Sequence, residues 1–370
     1  MRDYHGLIFA YNVYPELREL VSVRTAASLP FCGRYRLIDL ALSSMRNAGI
    51  LDVGVIMQRD YQSLLDHIGS GKSWDMSRRT GGLRILPPFG LPEYHTGNYT
   101  GTIEALNSVD AYIRDIPQKH IVLLQGNLCA NVDLEAVVRQ HESSKADITA
   151  ICADHPTPGA VCRFAVGEDG LVEKMFLYRQ EEGKGLPTLE GYVVHKDMLL
   201  DLMDQCKLAH QYNFHQDALP KFFAQGGKMD VYVHHGYAQP VCTVDEFYKA
   251  NLDMLKAENR RQIFPADRPV RTKVHEEVSS YYSDSAVSRR SLIADNCIVE
   301  GQVEDSIIFS GARIAPGAKL KGCVVMRGCS VAEGVELENV IVDKHCSFSK
   351  GVKLTGSPKL PMVVPKNSQI

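Results

Sequence analysis

The segment VLLQGNLCA (122–130) is an apolar run that stops at Gln125-Gly126-Asn127. A buried strand running into a glycine turn is where α/β proteins place the groups that do chemistry. Here the turn offers an amide, Asn127, and no acid, base or nucleophile. Locally, that amide reads equally as an unusual catalytic group, a turn former or the remnant of a site. Other chemistry-bearing residues stand alone. His345 in DKHCSF has no adjacent group to activate it as the base of an acyl transfer. His234-His235 lacks a third ligand at zinc spacing. Arg289-Arg290 and SWDMSRRTGG (73–82) are candidate anion sites whose simpler role is to keep a face soluble. The ten cysteines contain no CxxC pair and fit reduced, mostly buried thiols.

Composition narrows what these residues can serve. The chain has 370 residues, 45% apolar and 23% charged, which predicts a soluble globular protein of two domains. Its formal net charge of −3 gives no electrostatic case for nucleic acid or an anionic membrane. The start, MRDYHGLIFAYNVYPELREL, has charges at both ends of a short apolar core, unlike a signal peptide. No apolar run approaches the ~20 residues that span a bilayer. A cytoplasmic location is expected.

The elements that must position Asn127 alternate along the first ~260 residues. GLIFA (6–10), DVGVIM (52–57), IVLLQ (121–125), DITAICA (147–153) and YVVH (192–195) read as strands. YRLIDLALSSMRNAG (35–49), SLLDHIG (63–69) and EFYKANLDMLKAENRR (246–261) read as helices. Such alternation predicts a mainly parallel sheet covered by helices. FPADRPVRTKVHEE (264–277), with two prolines and mixed charge, reads as linker. Beyond it, apolar residues recur every five or six positions: Ile298, Val303, Ile308, Ile314, Leu320, Val325, Val331, Leu337, Val342, Phe348 and Leu354. That period is the mark of a parallel β-helix. The expected division is a domain over 1–263, a linker over 264–290 and a β-helix over 291–370.

Several segments resemble one family. FCGRYRLIDLALSSMRNAGI (31–50), DVGVIMQRDYQSLLDHIG (52–69), GGLRILPPF (81–89), YTGTIEAL (99–106), FHQDALPKF (214–222) and VDEFYKANLDML (244–255) are similar, in order, to segments of glucose-1-phosphate adenylyltransferases. The resemblance implies a Rossmann-like nucleotidyltransferase domain followed by a left-handed β-helix of hexapeptide repeats. It also implies a role in forming ADP-glucose for glycogen synthesis.

The resemblance fails where the family does its chemistry. Its Gly-rich turn after the first strand cradles the nucleotide phosphates. Here AYNVYPELRELV (10–21) puts Tyr11, Asn12 and Tyr14 at the glycine positions. Glu16 stands where a phosphate-contacting arginine belongs, which turns attraction into repulsion. Ala26 replaces a lysine, and Leu177 stands at the place of the lysine that grips the sugar phosphate, with Lys174 nearby. Asn127 and Pro240 occupy the positions of the two aspartates that hold Mg²⁺. Phosphoryl transfer depends on positioning and charge neutralisation, so these changes remove most of its machinery. Gln58, Gly101, Thr102, Gly191, Asp217 and Lys221 remain at positions matching substrate motifs and are candidates for holding a sugar-phosphate or nucleotide effector.

The pattern is similar to the family's non-catalytic D-type subunit. It implies a regulatory or scaffold chain that forms a heterotetramer with a homologous catalytic subunit, self-association being a further possibility. No cofactor is expected in this chain, and Mg²⁺ is expected in the partner's site. The alternatives are an active nucleotidyltransferase with a metal site rearranged around Asp133 or Asp154, and a carbohydrate- or nucleotide-binding module.

Overall fold

The structure is a computed structural model that describes residues 3–87, 99, 101–157, 159–177 and 184–370. By contact the chain divides into two compact units. The first comprises Met1–Asn12, Leu40–Pro240 and Ala266–Arg271. The second comprises Val13–Asp39, Val241–Pro265 and Thr272–Ile370. This differs from the division at 263 and 290, because two segments of the N-terminal stretch pack with the hexapeptide region.

The first unit is built on a nine-stranded sheet. Its strands are β1 (Tyr4–Phe9), β2 (Val53–Ile56), β3 (Leu83–Leu86), β4 (His120–Gln125), β5 (Ile148–Ala153), β6 (Cys162–Val166), β7 (Val172–Leu177), β8 (Leu186–His195) and β9 (Met229–His234). Along the main path they run β7-β6-β8-β4-β1-β2-β3, and β5 lies between β8 and β9. Strands β4, β1, β2 and β3 are parallel to one another, whereas β8 runs antiparallel to β4. The expected strands are all present, within two residues of the predicted ends except that β8 starts six residues earlier. Strands β1 and β5 are buried at every position, as expected where both faces of a sheet are covered. The carboxyl ends of β1 and β4 therefore stand side by side, with Phe9 paired to Gln125.

The second unit contains the β-helix, with each turn of the coil contributing one short strand to each of three parallel five-stranded sheets. Stacked registers place Val299, Ile314, Val331 and Phe348 in one inward column. Val303, Leu320, Leu337 and Leu354 form the second, and Ile308, Val325, Val342 and Val364 the third. The six-residue period is thus one side of a triangular coil. Two details depart from expectation. Val299, not Ile298, is the inward residue of its strand. The coil also begins at Tyr281–Tyr282 and Val287–Arg289, inside the stretch read as linker.

In the same unit the helix expected over 246–261 is broken into Val244–Asp253 and Ala257–Ile263. Side chains of the second helix take carbonyls freed at the end of the first. Asn259 Nδ2 donates to Asp253 O at 3.1 Å and Arg260 Nη1 donates to Met254 O at 2.6 Å. Thr243 and Glu246 form a capping box at the start of the first. A buried ion pair joins Arg24 to Asp343.

Candidate functional site

The carboxyl ends of β1 and β4 are closed by side chains of the chain itself. Tyr11, two residues beyond β1, is 7% exposed and packs edge-on against Phe9 and Tyr99. Its hydroxyl bonds the Thr102 side chain, and burial pushes the phenol well above its usual range. A phenol ring therefore fills space where a glycine would bring backbone close to a phosphate. Asn12 Nδ2 donates to Gln125 Oε1 at 3.0 Å, and Gln125 Nε2 donates to Glu190 Oε2 at 3.3 Å. Three side chains from three segments thus form one polar chain across the strand ends.

Glu190 is a residue that sequence reasoning missed. It sits at an irregularity in β8, between Thr188 and Gly191, with φ of 54°. Its N–H donates to Thr188 Oγ1 at 3.0 Å. The side chain is mostly buried, and burial raises its carboxyl to about 7 despite the Gln125 amide. The signal was present as a charged residue within the otherwise apolar run TLEGYVV, which a covered strand seldom carries.

The two positions that the resemblance assigns to Mg²⁺ are neighbours. Asn127 is 3% exposed and directly precedes the strand Leu128–Cys129. That strand pairs with Gln239–Pro240, and Pro240 faces Leu128. Together they supply one neutral amide and a proline ring, a donor set that does not fit Mg²⁺. Among the described residues, no group of three or more His, Cys, Asp or Glu has the geometry to hold a metal ion.

The carboxylates considered for a rearranged metal site have other partners. Asp133 caps the helix Leu134–Ser144 by accepting from Ala136 N at 3.0 Å, and Arg268 lies 3.6 Å away. Asp154 bonds His155 Nδ1 at 3.0 Å and His235 Nδ1 at 2.7 Å, and those bonds hold its carboxyl below the usual range. Of the other altered positions, Leu177 ends β7 and packs on the core of the sheet, while Lys174 lies 4.7 Å over the Phe176 ring. Tyr14, Glu16 and Ala26 belong to the second unit, where Glu16 is exposed and Ala26 fully buried.

Among the retained residues, Gly101, Gly191 and Asp217 have structural duties. Asp217 Oδ2 accepts from Tyr212 N at 3.1 Å and Asn213 N at 2.8 Å, fixing that turn. A Cβ on Gly101 would lie 2.2 Å from Tyr212 O, so only glycine allows the approach. Ile103 N donates to the same oxygen at 2.9 Å. The structure therefore brings Gly101, Thr102 and Asp217 together around residues 212–213. Gly191 packs against Ile151 and Leu124, where a Cβ would collide at 2.8 and 3.1 Å. Gln58 is buried and Lys221 half-buried on the short helix Leu219–Ala224. Part of GGLRILPPF and of YTGTIEAL lies outside the described residues.

The sheet of the first unit and the hexapeptide β-helix are the two modules of the nucleotidyltransferase fold. The Nucleotidyl transferase family matches residues 16–176, and the GlmU-like C-terminal hexapeptide family matches residues 275–359. The glucose-1-phosphate adenylyltransferase of Geobacillus stearothermophilus is 31% identical over 323 residues, covering 85% of this chain and 82% of the relative. The glucose-1-phosphate adenylyltransferase of Clostridium perfringens (strain 13 / Type A) is 29% identical over 304 residues, covering 80% and 76%. The glycogen biosynthesis protein GlgD of Bacillus subtilis (strain 168) is 27% identical over 316 residues, covering 85% and 82%. The chain belongs to the glucose-1-phosphate adenylyltransferase family. No helix among the described residues is long and apolar enough to cross a membrane.

Proposed function

We propose that this chain is a non-catalytic regulatory or scaffold subunit of a glucose-1-phosphate adenylyltransferase complex for glycogen synthesis. The complex forms ADP-glucose and pyrophosphate from ATP and glucose 1-phosphate. Mg²⁺ is held in the site of a homologous catalytic partner, and the assembly is a heterotetramer. The observation that carries this reading is the filled strand end. Tyr11 occupies a glycine position, Asn12, Gln125 and Glu190 are bonded to one another, and Asn127 lies beside Pro240's strand. A triphosphate approaching such a surface meets a carboxylate and no metal-binding pair.

With so little chemistry to lend, the chain acts on its partner by favouring one of the partner's states through a shared interface. The similarity to the glycogen biosynthesis protein GlgD of Bacillus subtilis supports the placing in glycogen synthesis. The test is to assay ADP-glucose formation by this chain, by the catalytic homologue and by their mixture. The expected result is no product from this chain and a changed rate or effector response in the mixture. An unchanged rate and response on mixing would sink the proposal.

A further inference from the structure

Two of the ten cysteines lie one above the other inside the β-helix. Ser330 pairs with Ser347 in the parallel register, and Cys329 and Cys346 each stand one residue earlier. Adjoining strands are about 4.8 Å apart, within the roughly 4.4–6.8 Å Cα separation that a disulfide spans. Both residues are 1% exposed and belong to the coil's core. Cys329 Sγ is 3.0 Å from Asp343 O, and Cys346 Sγ is 3.0 Å from Pro365 O. Each S–H is thus placed to donate to a backbone carbonyl oxygen.

This arrangement makes the pair chemically unequal. The neighbouring Cys329 thiol holds Cys346 below the ordinary cysteine range. Cys346 beside it, then burial, pushes Cys329 up. No other cysteine has this setting. Cys297 shares the column, but Ala312 stands between it and Cys329. Cys152 and Cys162 are both pushed up, chiefly by burial. Burial likewise holds Cys323 up at about 12. The layer over Cys346 is the mostly exposed segment 365–370, joined by Ser347 N to Ser368 O and Ile370 N to Ser347 O, both 2.9 Å. An exposed layer of that kind opens locally more readily than an inner coil.

We propose that Cys346 and Cys329 form a redox-active dithiol whose oxidant is a small hydroperoxide. The Cys346 thiolate attacks the peroxide, the O–O bond breaks, and sulfur keeps one oxygen as sulfenic acid while hydroxide leaves. Cys329 sulfur then attacks Cys346 sulfur, closing the disulfide. The hydroxyl departs as water with the proton from Cys329. Two electrons pass from the sulfur pair to the peroxide, and the product staples adjoining coils.

The test treats the full chain with limiting hydrogen peroxide, alkylates remaining thiols and maps peptides by mass spectrometry, which requires no variant. The expected product is a Cys329–Cys346 link that has lost two hydrogens and is reversed by dithiothreitol, appearing before any other cysteine reacts. In Cys329→Ser, a dimedone-trapped sulfenic acid should accumulate at Cys346. In Cys346→Ser, Cys329 should stay reduced. Circular dichroism checks that both variants fold. Oxidation of Cys32 or Cys242 before this pair, or no trapped Cys346 in Cys329→Ser, would overturn the proposal.

Discussion

At the amino ends of the central strands, imidazole rings gather; at the carboxyl ends, a carboxylate and amides do. The His120 ring lies 5.6 Å from that of His141 and 5.2 Å from that of His195, and it stacks 4.9 Å from Tyr4. Burial is the main cause that lowers His120, and it lowers His141 and His5 to about 4. These bases stay neutral near pH 7. At the opposite ends, burial raises Glu190 to about 7. The same physical cause therefore gives the two ends opposite responses to pH. One end is ordinary packing of neutral rings. The other is a strand end filled with the Tyr11 ring and with one polar chain, which leaves a carboxyl group poised near neutrality.

The comparison breaks most visibly at Tyr11. Tyr11→Ala should destabilise the fold by about 3–4 kcal/mol, the range for emptying a large buried ring, read as a shifted urea midpoint. It should yield no ADP-glucose formation, because the metal carboxylates are still missing. A gain of turnover would mean that the ring alone blocks a working site.

Acid tests the amino end next. His5 and His141 have folded values depressed below the unfolded ~6.5, so the unfolded chain takes up protons first as pH falls. Their stabilisation is complete well above pH 6.5 and lost as pH falls toward 4. Between pH 7 and 5.5 each should remove about 1 kcal/mol, seen as a falling melting temperature. That fall should be reduced in His141→Gln.

Asp217→Ala should cost about 1–2 kcal/mol by freeing the 212–213 turn. The loss should be the same with or without glucose 1-phosphate. A variant of normal stability that has lost saturable ligand binding would instead make Asp217 part of an effector site.

Glu190→Gln sharpens the contrast with the smallest effect. A raised carboxyl favours the folded state at low pH and penalises it as pH rises from ~4.5 to 7. The variant should therefore be more stable by about 1 kcal/mol at pH 5.5 and unchanged near pH 4. This is opposite in direction to the histidines, and parallel urea titrations at the two pH values would check it.

Much of this was legible in the sequence, for physical reasons that differ by region. The β-helix columns could be read because each inward position must be apolar and every coil repeats it. Its first coil was missed because Tyr281, Tyr282 and Val287 are exposed and carry no inward signal. The helix break after Asp253 escaped notice because both halves keep helical spacing and the break is made by side-chain bonds from Asn259 and Arg260. Asn127 and Pro240 could be linked only through family motifs, and the pairing of Leu128 with Pro240 now places them side by side. Glu190 lay outside every motif considered. The bond to Gln125 needs the antiparallel register of β8 on β4, which a single sequence does not display.

The most direct measurement is ADP-glucose formation by the purified chain with ATP, glucose 1-phosphate and Mg²⁺, alongside Asn127→Asp. Neither should exceed the enzyme-free background, because one restored carboxylate leaves Tyr11 at a glycine position and Pro240 without a donor. Turnover by the chain itself, or by the single variant, would contradict the reading of a vacated site.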